Sequence, residues 1–480
     1  MSPPSLLDRA RFEALVSQGH NQVPVIRRRE LGASRPTDLL RALPEGPRFL
    51  LESTRVSAEG RYSFLGTRPF LRFTAKGPQC FIDGRLQDGA PLDVLRALLG
   101  RWRGVRLPGL PRFLGGAVGF FAYEANHYFE SLPHHPRDDL QLPDIALSFV
   151  DTFLAVDHLE GALLLVATGS DWDDCSRRLD ELESWVHRAR PTPRPSPPTP
   201  DAPLAPWRSN FTQEDYLAAV ERVREYIRAG DTYQVNLSQR LEVDFAGEPL
   251  SLYETLCATS PVHFASYLEG DGFHVVSASP ERLVRVEDGL AITRPIAGTR
   301  RRGTPEEDAR FVQELRTSEK ERAEHAMLVD LERNDLGRVC DYGSVQVRKL
   351  MDIVEYAHVL HIESEVTGRL ASGVGPLDVV GALFPGGTIT GVPKIRTMQL
   401  ITELEPHARG LYTGSLGYLS FTGDLDLDIV IRTLVVKGGR AYAQVGGGIV
   451  HDSQPRQEYK ETLNKARSQL LALSASGGRE

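Results

Sequence analysis

The sequence predicts an α+β fold built on large antiparallel sheets, and three observations lead there. Short apolar or alternating runs of strand character greatly outnumber helices long enough to cross between parallel strands. No segment repeats with a fixed period. One stretch, 191–206, has proline at half its positions and almost nothing apolar. It divides the 480 residues into an N-terminal region at 1–190, a proline-rich linker at 191–208, and a more tightly patterned domain at 209–475.

Taken in order, residues 9–18 read as a short helix and 23–27 as a strand. Residues 49–53 and 60–66 read as neighbouring strands joined by a polar loop, and 71–74 and 80–82 continue the β-rich region. The segment 114–124 mixes glycines with aromatics, which suggests a strand running close against another backbone. Residues 145–156 and 162–167 form an expected hairpin around 157–161. Ser170 and Asp173 suit a capping box that opens a helix to about Arg190. Beyond the linker, Thr212 and Asp215 suit a second box; Tyr216, Leu217, Val220, Val223 and Ile227 keep helical period, and Gly230 stops it. Strands are expected at 235–241, 264–268, 273–277 and 283–286. More follow at 411–450, before a terminal helix.

Composition narrows the function. Net charge is −8, with no basic cluster beyond Arg300 to Arg302, which argues against nucleic acid as a partner. Cys80, Cys175, Cys257 and Cys340 are scattered without a C-x-x-C pair, as expected of reduced thiols in a cytoplasmic protein. The opening residues lack a basic-then-apolar leader, and no apolar run has membrane-spanning length.

The chemistry concentrates after the linker. In E-K-E-R-A-E-H, Glu321 and Glu324 are three residues apart on one helical face, and Met327, Leu328 and Leu331 continue an apolar stripe. Glu458 and Glu461 repeat that spacing, with Lys465 one turn on. Two such faces, if they meet, make an oxygen-rich site for a hard cation such as magnesium. Glu281 follows Ser279-Pro280 at a strand end, and R-P-I-A-G-T at 294–299 offers a glycine backbone and a hydroxyl to an anionic ligand. His361, Arg432 and the glycines at 446–448 complete the group. Taken singly, each has a plain structural use: a solvated helix, an ion-paired arginine, a turn.

Their order is more specific. S-P-E, R-P-I-A-G-T, E-R-A-E-H, D-L-E-R-N-D-L-G-R-V, F-P-G-G-T-I-T-G-V-P-K, I-R-T, G-G-G-I-V and E-Y-K-E-T-L-N-K-A together resemble the chorismate-utilising enzymes. That family holds the large subunits of anthranilate synthase and aminodeoxychorismate synthase, with salicylate and isochorismate synthases as relatives. The resemblance implies two large antiparallel sheets in a sandwich with helices outside. It implies magnesium on Glu324 and Glu461, supported by Glu321 and Glu458. Arg432 and Tyr412 would hold a substrate carboxylate, and Gly447, Gly448 and Lys465 would complete the anion cradle. Glu281 would be the general acid, Gly298 and Thr299 would line the ring, and His361 would assist elimination.

Two positions speak to the branch. Gln234 stands where the water-adding relatives carry a lysine base, and glutamine cannot deprotonate water. Ala297 stands where aminodeoxychorismate synthases typically carry a lysine nucleophile. Gln234 leaves amination, and Ala297 points to anthranilate synthase, with aminodeoxychorismate synthase as the alternative. The latter is closer in Q-V-N-L, H-F-A-S-Y-L and G-G-G-I-V. L-L-E-S, with Leu51, Glu52 and Ser53, resembles the tryptophan-binding element of anthranilate synthase, whereas 263–265 departs from the P-Y-M that completes it. No cysteine lies in a G-x-C-x-G elbow, so ammonia is expected from a separate glutamine amidotransferase subunit.

Overall fold

A computed structural model describes residues 7–57, 59–355 and 359–477. Among these, the strands form two antiparallel sheets of twelve strands each. In the first, Phe49–Glu52 pairs with Phe264–Gly270, setting early strands beside Phe273–Ser279, Thr433–Lys437, Arg440–Ile449 and Gln234–Asp244. In the second, Gly116–Phe121 pairs with Ser415–Ser420, which leads on to Leu425–Ile429, Arg282–Glu287, Leu290–Thr293, Val359–Arg369 and Ile296–Arg301. Both sheets therefore use strands from either side of 191–206. Composition changes at that run, but strand pairing crosses it.

The sheets face each other across an aromatic layer in which Phe64, Phe153 and Val275 meet Val118, Phe120 and Leu416. Helices cover the outer faces, Trp172–Val186, Pro249–Thr259 and Pro455–Ala475 over the first sheet and Glu319–Gly337 and Pro376–Leu383 over the second. This is the α+β sandwich the sequence predicts. Gly119 shows why glycine recurs in the second sheet. A Cβ there would lie 1.9 Å from the Ala146 carbonyl oxygen, the close backbone approach expected of 114–124. The helix Gln213–Ala229 is capped by the Thr212 hydroxyl, which accepts from Asp215 N, and ends at Gly230.

Several elements differ from expectation. The run 145–156 is not one strand: Ile145–Val150 belongs to the second sheet and Thr152–Asp157 to the first, so the chain changes layers at Asp151. Ile145–Val150 alternates buried and half-buried residues, whereas Thr152–Asp157 is buried on both faces after its first residue. The next helix is capped by Asp171, which accepts from Asp173 N and Asp174 N, not by Ser170, and it ends at Val186. On the Glu319–Gly337 helix the buried stripe is His325, Leu328, Val329, Glu332, Asp335 and Leu336, while Met327 and Leu331 are half-buried. Among the described residues, no helix is long and apolar enough to cross a membrane.

Candidate active site

Ser318 caps the Glu319–Gly337 helix and receives the Glu321 amide at 3.3 Å, fixing the first turn. Glu321 Oε1 takes Arg300 at 2.8 Å, while its buried Oε2 has no hydrogen-bond partner. Opposite lies Gly298, at φ +58°, where a Cβ would stand 2.4 Å from Glu321 Oε2. Only glycine lets the strand approach the carboxylate this closely while adopting the left-handed conformation. The pairing slips between Ala297 and Thr299, and Thr299 stands opposite His361. The Thr299 side chain lies outside the described residues. Ile296 lines the space between the sheets, so Ala297 turns to the other face. His361 Nδ1 donates to the Gly298 carbonyl at 3.2 Å. Burial above all, with the charge of Arg432 adding, holds this imidazole below its usual pKa and therefore neutral.

The second acidic face meets the first. Glu458, Glu461 and Lys465 of Pro455–Ala475 converge on Gly447, where a Cβ would lie 3.6, 3.8 and 4.0 Å from their Oε2, Oε1 and Nζ atoms. Lys465 bridges Glu461 at 2.8 Å and donates to the Gly446 carbonyl at 3.0 Å. Gln234 packs over Gly448 and donates to Glu324 Oε1 at 3.4 Å. Burial raises the Glu324 carboxyl, and the charges of Glu321 and Glu461 add to that. Glu458 is raised likewise, by burial first and then by Glu461.

This donor set suits a hard cation. It offers only carboxylate oxygens, and one of them is buried without a partner. Among the described residues no three His, Cys, Asp or Glu side chains form a complete ligand cluster. Magnesium commonly takes one or two carboxylates and fills its octahedron with substrate oxygens and waters.

The anion end lies beside it. Arg432 follows a buried strand at φ +51°, and its guanidinium makes no hydrogen bond or ion pair with any described residue. Burial lowers its pKa, against the pull of Glu281. A half-buried cation with no hydrogen-bonded protein partner suits a ligand carboxylate. Tyr412 is buried, its ring 5.5 Å from the Arg409 guanidinium. Arg409 is fixed by Glu405 at 2.7 Å and donates to the carbonyls of Asn236 and Ile389. Glu281, 8% exposed, accepts from the Thr388 hydroxyl at 2.8 Å. Burial pushes its pKa to about 7, although Arg432 and Lys465 pull it down.

Thr388, Arg300 and Arg409 are functional neighbours that the sequence reading passed over. Thr388 lay inside F-P-G-G-T-I-T-G, a usable signal, whereas Arg409 showed only an i,i+4 carboxylate. Leu51, Glu52 and Ser53 are elsewhere. With His263, Phe264 and Ala265 they line a separate cavity of about 600 Å³ between the sheets.

Two sheets in a helix-covered sandwich, with paired acidic helix faces beside a half-buried arginine that makes no ion pair with a described residue, suit the binding of an anionic ligand. The chain belongs to the chorismate-binding enzyme family, whose profile matches residues 46–471. It is 39% identical to anthranilate synthase component 1 of Acetivibrio thermocellus, over 96% of this chain and 97% of the relative. It is also 43% identical to aminodeoxychorismate synthase component 1 of Bacillus subtilis (strain 168), over 89% and 92%. The structure of anthranilate synthase component I from Streptococcus pneumoniae TIGR4 superposes with a TM-score of 0.77 at 34% identity, over 87% of this chain and 93% of that one.

Proposed function

We propose that the chain is the synthase component of an anthranilate synthase: it aminates chorismate at ring carbon 2 and eliminates pyruvate. Ala297 carries the reading. Its methyl has no lone pair where a lysine would attack carbon 2 and leave carbon 4 to ammonia, so ammonia attacks carbon 2 itself. Gln234, against Glu324, cannot serve as a base toward water, which disfavours hydration.

In this reading Arg432 and Tyr412 hold the enolpyruvyl carboxylate, and the amides near Gly447 and Gly448, with Lys465, complete the cradle. Glu281, steadied by Thr388, gives its proton to the departing ring hydroxyl. Neutral His361, fixed on Gly298, assists the later elimination. Magnesium held by Glu324 and Glu461, with Glu321 and Glu458 in support, would neutralise the ring carboxylate and polarise the ring. Ammonia comes from a partner glutaminase, since the relatives are numbered as components and no nucleophile elbow is present here. The four unpaired cysteines suit a cytoplasmic setting.

The test is product analysis with chorismate, magnesium and ammonia and no added lyase. Anthranilate with one pyruvate per turnover supports the reading. The similarity to an aminodeoxychorismate synthase favours a second product. A non-aromatic amine formed without pyruvate, and converted to 4-aminobenzoate only by an added lyase, would establish amination at carbon 4. The purified chain should use ammonium salts but not glutamine, and glutamine-dependent turnover would refute the two-component reading. The L-L-E-S stretch that resembles the tryptophan-binding element of anthranilate synthase lines the inter-sheet cavity, which makes it a candidate effector site, but His263 and Ala265 alter its wall. Tryptophan titration of the initial rate tests that assignment.

A further inference from the structure

We propose that the side-chain amide oxygens of Asn236 and Gln234 together seat the ammonia nucleophile. This deepens the amination reading and rests on it, whichever ring carbon is attacked. Asn236 is 8% exposed, and its backbone is held at both ends. Its N–H donates to the Thr390 carbonyl at 2.8 Å, and its own carbonyl accepts from Arg409 at 2.6 Å. The side chain is thereby aimed at Gly446 on the neighbouring strand. A Cβ on Gly446 would lie 2.5 Å from Asn236 Oδ1 and 2.8 Å from the Tyr412 hydroxyl. That Oδ1 is buried and accepts no hydrogen bond from any described residue. Gln234, two residues earlier, projects from the same face of Gln234–Asp244. Its Nε2 donates to Glu324 at 3.4 Å and packs over Gly448, which leaves Oε1 buried and likewise without a donor. A buried acceptor without a donor costs stability. Two of them on one strand face, between Tyr412 and Glu324, are kept for a ligand that brings its own donors.

Ammonia is the reactant that fits. The carboxylates of chorismate carry no donor and are repelled by these oxygens, and its ring hydroxyl brings a single donor. Ammonia brings three N–H donors and a lone pair. Residues i and i+2 of a strand stand about 7 Å apart, a span that one nitrogen bridges with two N–H···O bonds of about 3 Å each. The lone pair is then left over for the ring. Charge explains why both acceptors are amides. A carboxylate at either place would draw in the ammonium ion, which has no lone pair, whereas a neutral carbonyl oxygen leaves the free base competitive. As the carbon–nitrogen bond forms, the nitrogen turns cationic and its N–H groups become stronger donors. Both hydrogen bonds therefore tighten in the transition state. In the same step the ring hydroxyl leaves as water with the Glu281 proton, and the adduct returns a proton to the Glu281 carboxylate as it becomes an amine.

Asn236→Leu keeps the volume and removes the acceptor. Ammonium salts are titrated at one alkaline pH with chorismate saturating, and rates are plotted against free ammonia. The kcat/KM for ammonia should fall about tenfold, the worth of one hydrogen bond. The chorismate KM should stay within about twofold, the split expected of a group that touches only the nucleophile. The melting temperature should hold or rise, because an unsatisfied oxygen has left a buried place. Asn236→Ala, which cannot crowd Gly446, should show the same split if leucine disturbs the fold. Adding Gln234→Leu should cost less than the product of the two single losses, since both amides hold one nitrogen. An unchanged kcat/KM for ammonia would overturn the proposal. So would an equal rise in both Michaelis constants, which would make Asn236 a chorismate contact, or a melting temperature lowered by several degrees in both variants. Losses that simply multiply would overturn the shared seat. A wild-type chain that forms no aminated product from ammonia would instead overturn the amination reading beneath it.

Discussion

Arg432 sits in a left-handed backbone conformation with a half-buried guanidinium that makes no ion pair with any described residue. Such a group is kept for its ligand and at the expense of the fold. Arg432→Met should therefore leave the melting temperature unchanged or higher while raising the chorismate KM about ten- to a hundredfold, the worth of roughly 1.5–3 kcal/mol for a charge-assisted hydrogen bond. A variant that melts much lower with KM intact would mean that Arg432 is structural. Glu281 makes the complementary case. Burial lifts it to about 7, so it keeps its proton up to that pH, and kcat should fall as pH rises through about 7. Glu281→Gln should lower kcat by about 10²–10⁴ and erase that limb of the profile.

The two acidic helices act as a unit, because Glu324 of one feels Glu461 of the other. Glu324→Gln should lower activity by about two orders of magnitude or more with little change in melting temperature, and excess EDTA should silence wild type until magnesium is returned. Full activity in EDTA would remove the metal assignment. A separate expectation concerns the Trp172–Val186 helix: Asp171→Ala should cost about 1 kcal/mol in denaturant unfolding, and Ser170→Ala close to nothing. What was legible at this scale was local chemistry. The Thr212 cap, the Gly230 stop, the close-packed strand around Gly119 and the glutamate pairs at i,i+3 are written within a few residues. What was not legible depended on partners far away. Asp151 breaks an apolar run whose halves belong to different sheets, and Asp335 lies on a buried stripe where it pairs with Lys394, far later in the chain. Arg409 owes its place to carbonyls at Asn236 and Ile389 that no spacing rule connects to it.

Across the whole molecule, the proline-rich run is a surface passage through a body whose sheets are shared. Protease cleavage within 191–206 should leave two fragments that co-elute on size exclusion and keep chorismate turnover, whereas 209–475 expressed alone should not fold. Fragments that separate after nicking would contradict the shared sheets. The interleaving also sets a schedule for the ribosome. Gly116–Phe121 emerges early, yet the edge it needs, Ser415–Ser420, follows about 300 residues later. At about 5–20 residues per second, that edge of the strand waits roughly 15–60 s unpaired, while Ile145–Val150 covers the other. A nascent chain of this protein is therefore a client for holding chaperones through most of its synthesis. Arresting translation before residue 415 should trap it on them, and letting the last helix emerge should set it free.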